Sequence, residues 1–110
     1  MLQVKVSDIA RQTLNDIVDY YLEHFGYQPA DRLITEFEKK LHYIATYPET
    51  GFPEPLAFGM VPFYRAVHIS RYLKLIYYVD DEDHAVMVAD VWDTRMHPDK
   101  LKQRLTEQQA

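Results

Sequence analysis

FYRAVHISRYLKLIYYVDDEDHAVMVADVW, residues 63–92, decides the fold. Three runs rich in β-branched and aromatic residues, 63–69, 72–79 and 84–92, are separated only by Ser70-Arg71 and by the acidic turn Asp80, Asp81, Glu82 and Asp83. Connections this short cannot cross over a sheet, so the three runs predict antiparallel neighbours, a meander. Alternation within the runs assigns faces. In the first, Arg65 lies with Phe63, Val67 and Ile69, and Tyr64 and His68 point the other way; in the second, Lys74 lies with Tyr72, Ile76 and Tyr78. One face is expected to take helices and the other to meet solvent.

Upstream, Leu2, Val4 and Val6 alternate with Gln3 and Lys5, a half-buried strand. Ser7 is a good N-cap with Asp8 in the first turn, and Leu14, Ile17, Val18, Tyr21, Leu22 and Phe25 follow at helical spacing up to Gly26, the stop. Pro29 suits a first helical position. From there Leu33, Phe37, Leu41 and Ile44 form a second stripe that lasts to Pro48. A link of about three residues forces the two helices into an antiparallel hairpin. The stretch 48–62, PETGFPEPLAFGMVP, holds four of the six prolines and two of the three glycines, so regular structure is not expected there. Downstream, Pro98, Leu101 and Leu105 predict a short helix with a frayed polar tail at 107–110, EQQA. The reading is an α+β domain spanning 1–110 in the order β-α-α-β-β-β-α, a helical hairpin packed on a small sheet.

Composition bounds the function. With 47% hydrophobic and 26% charged residues the chain can build a core, and 110 residues suffice for one such core. Fifteen aromatics, nine of them tyrosine, are enough to leave some at a binding surface. The absence of cysteine excludes disulfides, thiolate nucleophiles and zinc–thiolate sites. No signal-peptide pattern or membrane-length apolar run is present, so the cytoplasm is the expected location and no membrane partner is expected. A net charge of −5 opposes nonspecific nucleic-acid binding. The imbalance is concentrated in residues 1–62; apart from the four acids of the 80–83 turn, the C-terminal half, 63–110, is mildly basic.

Candidate chemistry sits on the meander. Lys74 between tyrosines on an open face could hold a phosphate or stack a base, or could be a solvated charge. Arg65 has three apolar neighbours on its face, so its guanidinium needs a carboxylate, for which Asp90 or Asp93 is available, a backbone acceptor or a ligand. In Asp93-Thr94-Arg95-Met96-His97-Pro98, Arg95 and His97 could sit beside the sheet, His97 serving either as acid or base or as a helix cap. The histidines have no metal-ligand spacing, and P-loop, GxGxxG and GxSxG motifs are absent, so neither metal nor cofactor is expected.

The β-α-α opening followed by YRAVHISRYLKLIYYVDDEDHAVMVADVWDTRMHPDKL, 64–101, resembles the RelE/ParE superfamily of bacterial toxins. The resemblance rests on Tyr64-Arg65 opening the meander, LKLIYYV with its acidic turn, and the VWDTRMHP exit. It implies a toxin of a type II toxin–antitoxin, or plasmid stabilisation, system, neutralised by a cognate antitoxin. RelE-like members cut messenger RNA on the ribosome without metal, and ParE-like members poison DNA gyrase. For the first activity the resemblance assigns Arg65, Lys74, Arg95 and His97 as the catalytic set; for contacts with target or antitoxin it leaves Tyr64, Tyr72, Tyr78 and Trp92. Val67 stands where a second basic residue is often found, no tyrosine follows residue 78, and the chain is acidic. These departures favour a ParE-like gyrase inhibitor. The ribosome-dependent endoribonuclease, acting on ribosome and messenger RNA, is the alternative, and a decayed toxin or interaction module is a third. A homodimer is compatible with all three.

Overall fold

The computed structural model describes residues 1–109. Its elements are β1 (Gln3–Val6), α1 (Asp8–Phe25), α2 (Tyr27–Thr46), β2 (Phe52–Pro53), a 3-10 turn (Pro55–Ala57), β3 (Arg65–His68), β4 (Leu73–Asp80), β5 (Ala85–Asp93) and α3 (Pro98–Gln109). They form one five-stranded sheet in the order β1-β5-β4-β3-β2. The meander is antiparallel as expected, and β1 joins it parallel to β5, with Gln3 opposite Ala85.

Ser7 starts α1 and ties it to the sheet. Its hydroxyl accepts from the Ala10 amide at 3.1 Å and donates to the Ala89 carbonyl at 2.8 Å. That carbonyl belongs to a bulge, where β5 spends both Ala89 and Asp90 against the Ile76–Tyr77 step of β4. The extra residue shifts the alternation. Val91 therefore joins Val86 and Val88 beneath the helical hairpin, and Trp92 goes to the opposite face.

The hairpin is tighter than its sequence suggests. Gly26 alone links α1 to α2, at φ 90°, a backbone region that other residues rarely adopt. α2 begins at Tyr27 and not at Pro29. Proline is tolerated there because none of the first four amides of a helix has a partner within the helix. α2 sends Leu33, Phe37 and Ile44 into the core, and α1 rests on it through half-buried Leu14, Ile17, Val18 and Tyr21.

Three further expectations are corrected. The 48–62 stretch is not without regular structure: Phe52–Pro53 add an edge strand to β3, and Glu54 caps the 3-10 turn by accepting from the Leu56 amide at 2.9 Å. The second face of the sheet is not open. Ala57, Leu101 and Leu105 close over Tyr64, Ala66, Ile76, Ala89 and Trp92 to make a second core. Nor is the tail frayed through residue 109, since α3 continues to Gln109, whose amide donates to the Tyr64 hydroxyl at 2.8 Å. Ala110, the last residue of that tail, lies outside the described residues.

Candidate functional site

The four residues proposed as a catalytic set are not brought together. Arg65 pairs in register with Tyr77, and Lys74 with His68 and Trp92, so the two basic side chains lie three positions apart and on opposite faces. Each has its own task. The Arg65 guanidinium donates to the backbone carbonyls of Glu49, at 3.2 Å, and Gly51, at 2.9 Å. It therefore satisfies itself on backbone acceptors, and the ion pair with Asp90 or Asp93 does not form. Beside it the buried Tyr77 hydroxyl donates to the Pro48 carbonyl at 2.8 Å and accepts from the Gly51 amide at 2.9 Å. Gly51 has to be glycine: a Cβ there would meet the Tyr77 hydroxyl at 2.5 Å. Arg65 and Tyr77 together pin residues 48–51 to the sheet.

Lys74 is 7% exposed and bonds to Glu54, which is 1% exposed. A charge buried this deeply requires such a partner, and the pair holds the 3-10 turn onto β4. Sequence reasoning placed Lys74 on an open face and overlooked Glu54. A signal was available, because Glu54 is the only charged residue between Gly51 and Tyr64.

Arg95 and His97 follow β5 and are exposed. Arg95 donates two bonds to Asp93, at 2.8 and 3.0 Å, and lies over the Tyr72 ring, 4.5 Å from its centroid. The Arg95 bond holds the Asp93 carboxyl below the usual carboxylate range. His97 caps α3: its Nδ1 accepts from the Asp99 amide at 3.3 Å and its carbonyl from the Lys100 amide at 3.1 Å. Of the four aromatic candidates, Trp92 and Tyr64 are core residues. Tyr78 is half-buried edge-on to Tyr64 at 5.6 Å, and Tyr72 is exposed. Burial also raises the Tyr64 hydroxyl above its ordinary pKa.

A second buried ion pair was also missed. Arg104 of α3 donates to Asp90 Oδ1 at 2.7 Å and to the Thr13 hydroxyl of α1 at 2.6 Å, so helices on opposite faces of the sheet meet at one carboxylate. Asp90 is fully buried, which pushes its carboxyl above the usual range against the pull of Arg104, and its Oδ2 has no partner. Asp90 stands between apolar residues in MVADVW, and an acid inside such a strand signals a buried partner.

Next to this junction lies a cleft of about 640 Å³. Ile17, Tyr20, Tyr21, Leu73, Val91 and Met96 give it apolar lining, and Asp16, Asp93, Arg95 and Arg104 give it charged groups. The arrangement suits an apolar side chain flanked by groups that bond to a guanidinium or a carboxylate. Among the described residues no group of three or more histidines and carboxylates could hold a metal ion, and no helix is long and apolar enough to cross a membrane.

This architecture recurs in solved structures, three of which follow. The chromosomal ParDE toxin–antitoxin system from P. aeruginosa aligns with a TM-score of 0.68 at 17% identity, covering 86% of this chain and 98% of that one. A metal-bound toxin from Helicobacter pylori gives 0.63 at 17% identity, over 84% and 94%. The RelBE2 toxin–antitoxin complex from Mycobacterium tuberculosis gives 0.57 at 17% identity, over 84% and 96%. No curated protein matches the chain. At these identities the structures establish the RelE/ParE-like fold. The family follows from the sequence profile described as the ParE toxin of the type II toxin–antitoxin system, parDE, which matches residues 4–98, from β1 to the first residue of α3. The chain belongs to the ParE toxin family of type II toxin–antitoxin systems.

Proposed function

We propose that this toxin acts by binding DNA gyrase, without nucleic-acid cleavage of its own, and that a cognate antitoxin neutralises it. One observation carries the choice between gyrase binding and ribosome-dependent cleavage of messenger RNA: Lys74 and Arg65, the two strand residues of the ribonuclease-like set, are spent inside the molecule on Glu54 and on the carbonyls of 49 and 51. A metal-independent ribonuclease needs cations and a proton-transfer group facing one phosphate. Here the exposed members are Arg95, already neutralised by Asp93, and His97, engaged in a helix cap. The net charge of −5 also opposes docking on ribosomal RNA. Arg95, Tyr72 and the cleft beside α1 are the surface we assign to protein partners.

Induced expression followed by three readouts tests this. The DNA-damage response should rise, supercoiling by purified gyrase should fall when toxin is added, and messenger RNA ends should be unchanged. Cuts within codons, with supercoiling intact, would reverse the assignment. Arg95→Ala should weaken gyrase inhibition with only a small drop in melting temperature, because the side chain is exposed and such surface pairs add little to stability.

A further inference from the structure

At the end of β4 away from the α1 cleft, the last turns of α2 and the 48–51 turn border a second groove, of about 680 Å³. Leu73 lines the first and Val79 the second, about 20 Å apart along the strand. Leu2, Tyr43, Tyr47, Pro48 and Val79 give this groove its apolar lining, and its two charged groups, Glu49 and Asp81, are both acids. Neither forms an ion pair among the described residues, and Arg65 bonds to the Glu49 carbonyl, not to its carboxylate. Beyond the same two tyrosines the charge reverses. An adjoining hollow of about 440 Å³ shares Tyr43, Thr46 and Tyr47 and is bordered by Lys39, Lys40 and His42; its one acid, Glu36, is paired with Lys39 at 3.5 Å. The walls are fixed in advance. Arg65 and Tyr77 pin the 48–51 turn, the Tyr43 and Thr50 hydroxyls bond at 2.8 Å, and the Leu2 amide donates to the Ala45 carbonyl at 2.9 Å, so little ordering remains to be done on binding.

We propose that this groove docks an extended segment of a protein partner that carries a basic and an acidic side chain about three residues apart. The basic side chain lies against Tyr47 and reaches Glu49 and Asp81, and the acidic one reaches Lys40. Tyr47 is 60% exposed and stands edge-on to Tyr43, their centroids 5.7 Å apart. Lys40 already lies over the Tyr43 ring at 5.8 Å, so Tyr47 is the ring of the pair without a cation. A cation beside a tyrosine face and two carboxylates is favoured by both, while its apolar stem covers Leu2 and Val79. The spacing follows from α2: Lys40 lies about 9 Å along the axis before Thr46, the last helical residue, and three residues of extended chain span about 10 Å. Charge selects the occupant. A nucleic acid brings only negative charge, which Glu49 and Asp81 oppose, and a polyamine brings only positive charge, which Lys40 opposes. A small zwitterion is too short to reach both sides. The groove lies apart from the surface assigned to gyrase, so its occupant is tested independently of that reading.

Magnetic resonance of the whole chain provides the test, because the ring signals of Tyr43 and Tyr47 report on this groove and those of Tyr20 and Tyr21 on the α1 cleft. The probes are the tetrapeptides RLLE and ELLR, blocked at both ends so that only their side chains are charged. The better of the two should shift the Tyr43 and Tyr47 signals with a Kd of about 1 mM or tighter. Replacing its arginine by neutral citrulline, or its glutamate by glutamine, should weaken binding at least about fivefold. Glu49→Gln/Asp81→Asn should weaken the unmodified peptide to a similar extent, and Tyr47→Leu should do so by about threefold. All three positions are exposed, and the citrulline comparison needs no variant of the chain at all. Tyr43 and Tyr47 signals that stay unmoved up to about 10 mM peptide, a citrulline peptide or a double variant that binds equally well, or shifts confined to Tyr20 and Tyr21 would each overturn the proposal. Spermidine or phosphocholine matching the peptide would overturn it too, by assigning the groove to a small ligand.

Discussion

The two faces of the sheet bury side chains by different means. Beneath the hairpin, α1 and α2, of 18 and 20 residues, cover Val67, Leu75, Val86, Val88 and Val91 in a nearly all-apolar interior. Beneath α3 and the 3-10 turn the cover is 12 and three residues long, and ion pairs and polar contacts help to fasten it: Glu54 to Lys74, Arg104 to Asp90, Gln109 to Tyr64. A long amphipathic hairpin removes enough apolar area from water to hold itself in place. A short cover removes less, and specific polar bonds then determine where it sits. Basic residues on such a face are as apt to be fasteners as functional groups.

Glu54→Ala is the most severe way to break this comparison. It strands the Lys74 charge in the core and should cost about 3–5 kcal/mol in denaturant unfolding, whereas Glu54→Leu/Lys74→Met should recover most of that loss. If the single change is harmless, the second face does not depend on its ion pairs. A sharper contrast comes from neighbours on β4 that are both fully buried, Leu75 under the hairpin and Ile76 under α3. Truncation to alanine should cost about 4 kcal/mol at Leu75 and about 2 kcal/mol at Ile76, because a short helix settles into a cavity more easily than a braced hairpin. Equal losses would mean that both covers are equally stiff. The smallest effect concerns the two Asp–Arg pairs and is read from melting temperature against pH. Asp93, held below the usual range by Arg95, adds stability above its unfolded pKa, near 3.9, and loses it as pH falls through the folded value. Asp90, raised by burial, has the opposite sign: its contribution is greatest below the unfolded value and fades as pH rises through the folded one. Asp93→Asn should therefore flatten the loss on the acid side, and Asp90→Asn should flatten the decline just above it.

The meander, the hairpin and the final helix were legible because each is written in local periodicity and punctuation: Ser7, Gly26 and Pro98 mark ends that the structure keeps. The covered second face was not. Its closure depends on Leu101 and Leu105 meeting Trp92 and Tyr64, contacts that no local pattern specifies. The bulge at Ala89 was hidden for a similar reason, since alternation read straight through 86–92 places Trp92 with Val86. Lys74 was misplaced because a lysine beside tyrosines looks the same on an exposed strand as on one roofed by a distant segment. Arg65 was half legible. Its apolar neighbours demanded an acceptor, and carbonyls of the 48–51 turn, unforeseeable from composition, filled that need.

The parallel pairing of β1 with β5 sets a sequence of events as well as a shape. The hairpin and the meander can each assemble from neighbouring residues, but Gln3 must wait for Ala85, and Thr13 for Arg104. Closing such long loops is slow relative to local structure. A chain emerging from the ribosome would therefore carry its helices and part of its sheet well before the first strand found its place, and the last bond to form would be the one joining both faces.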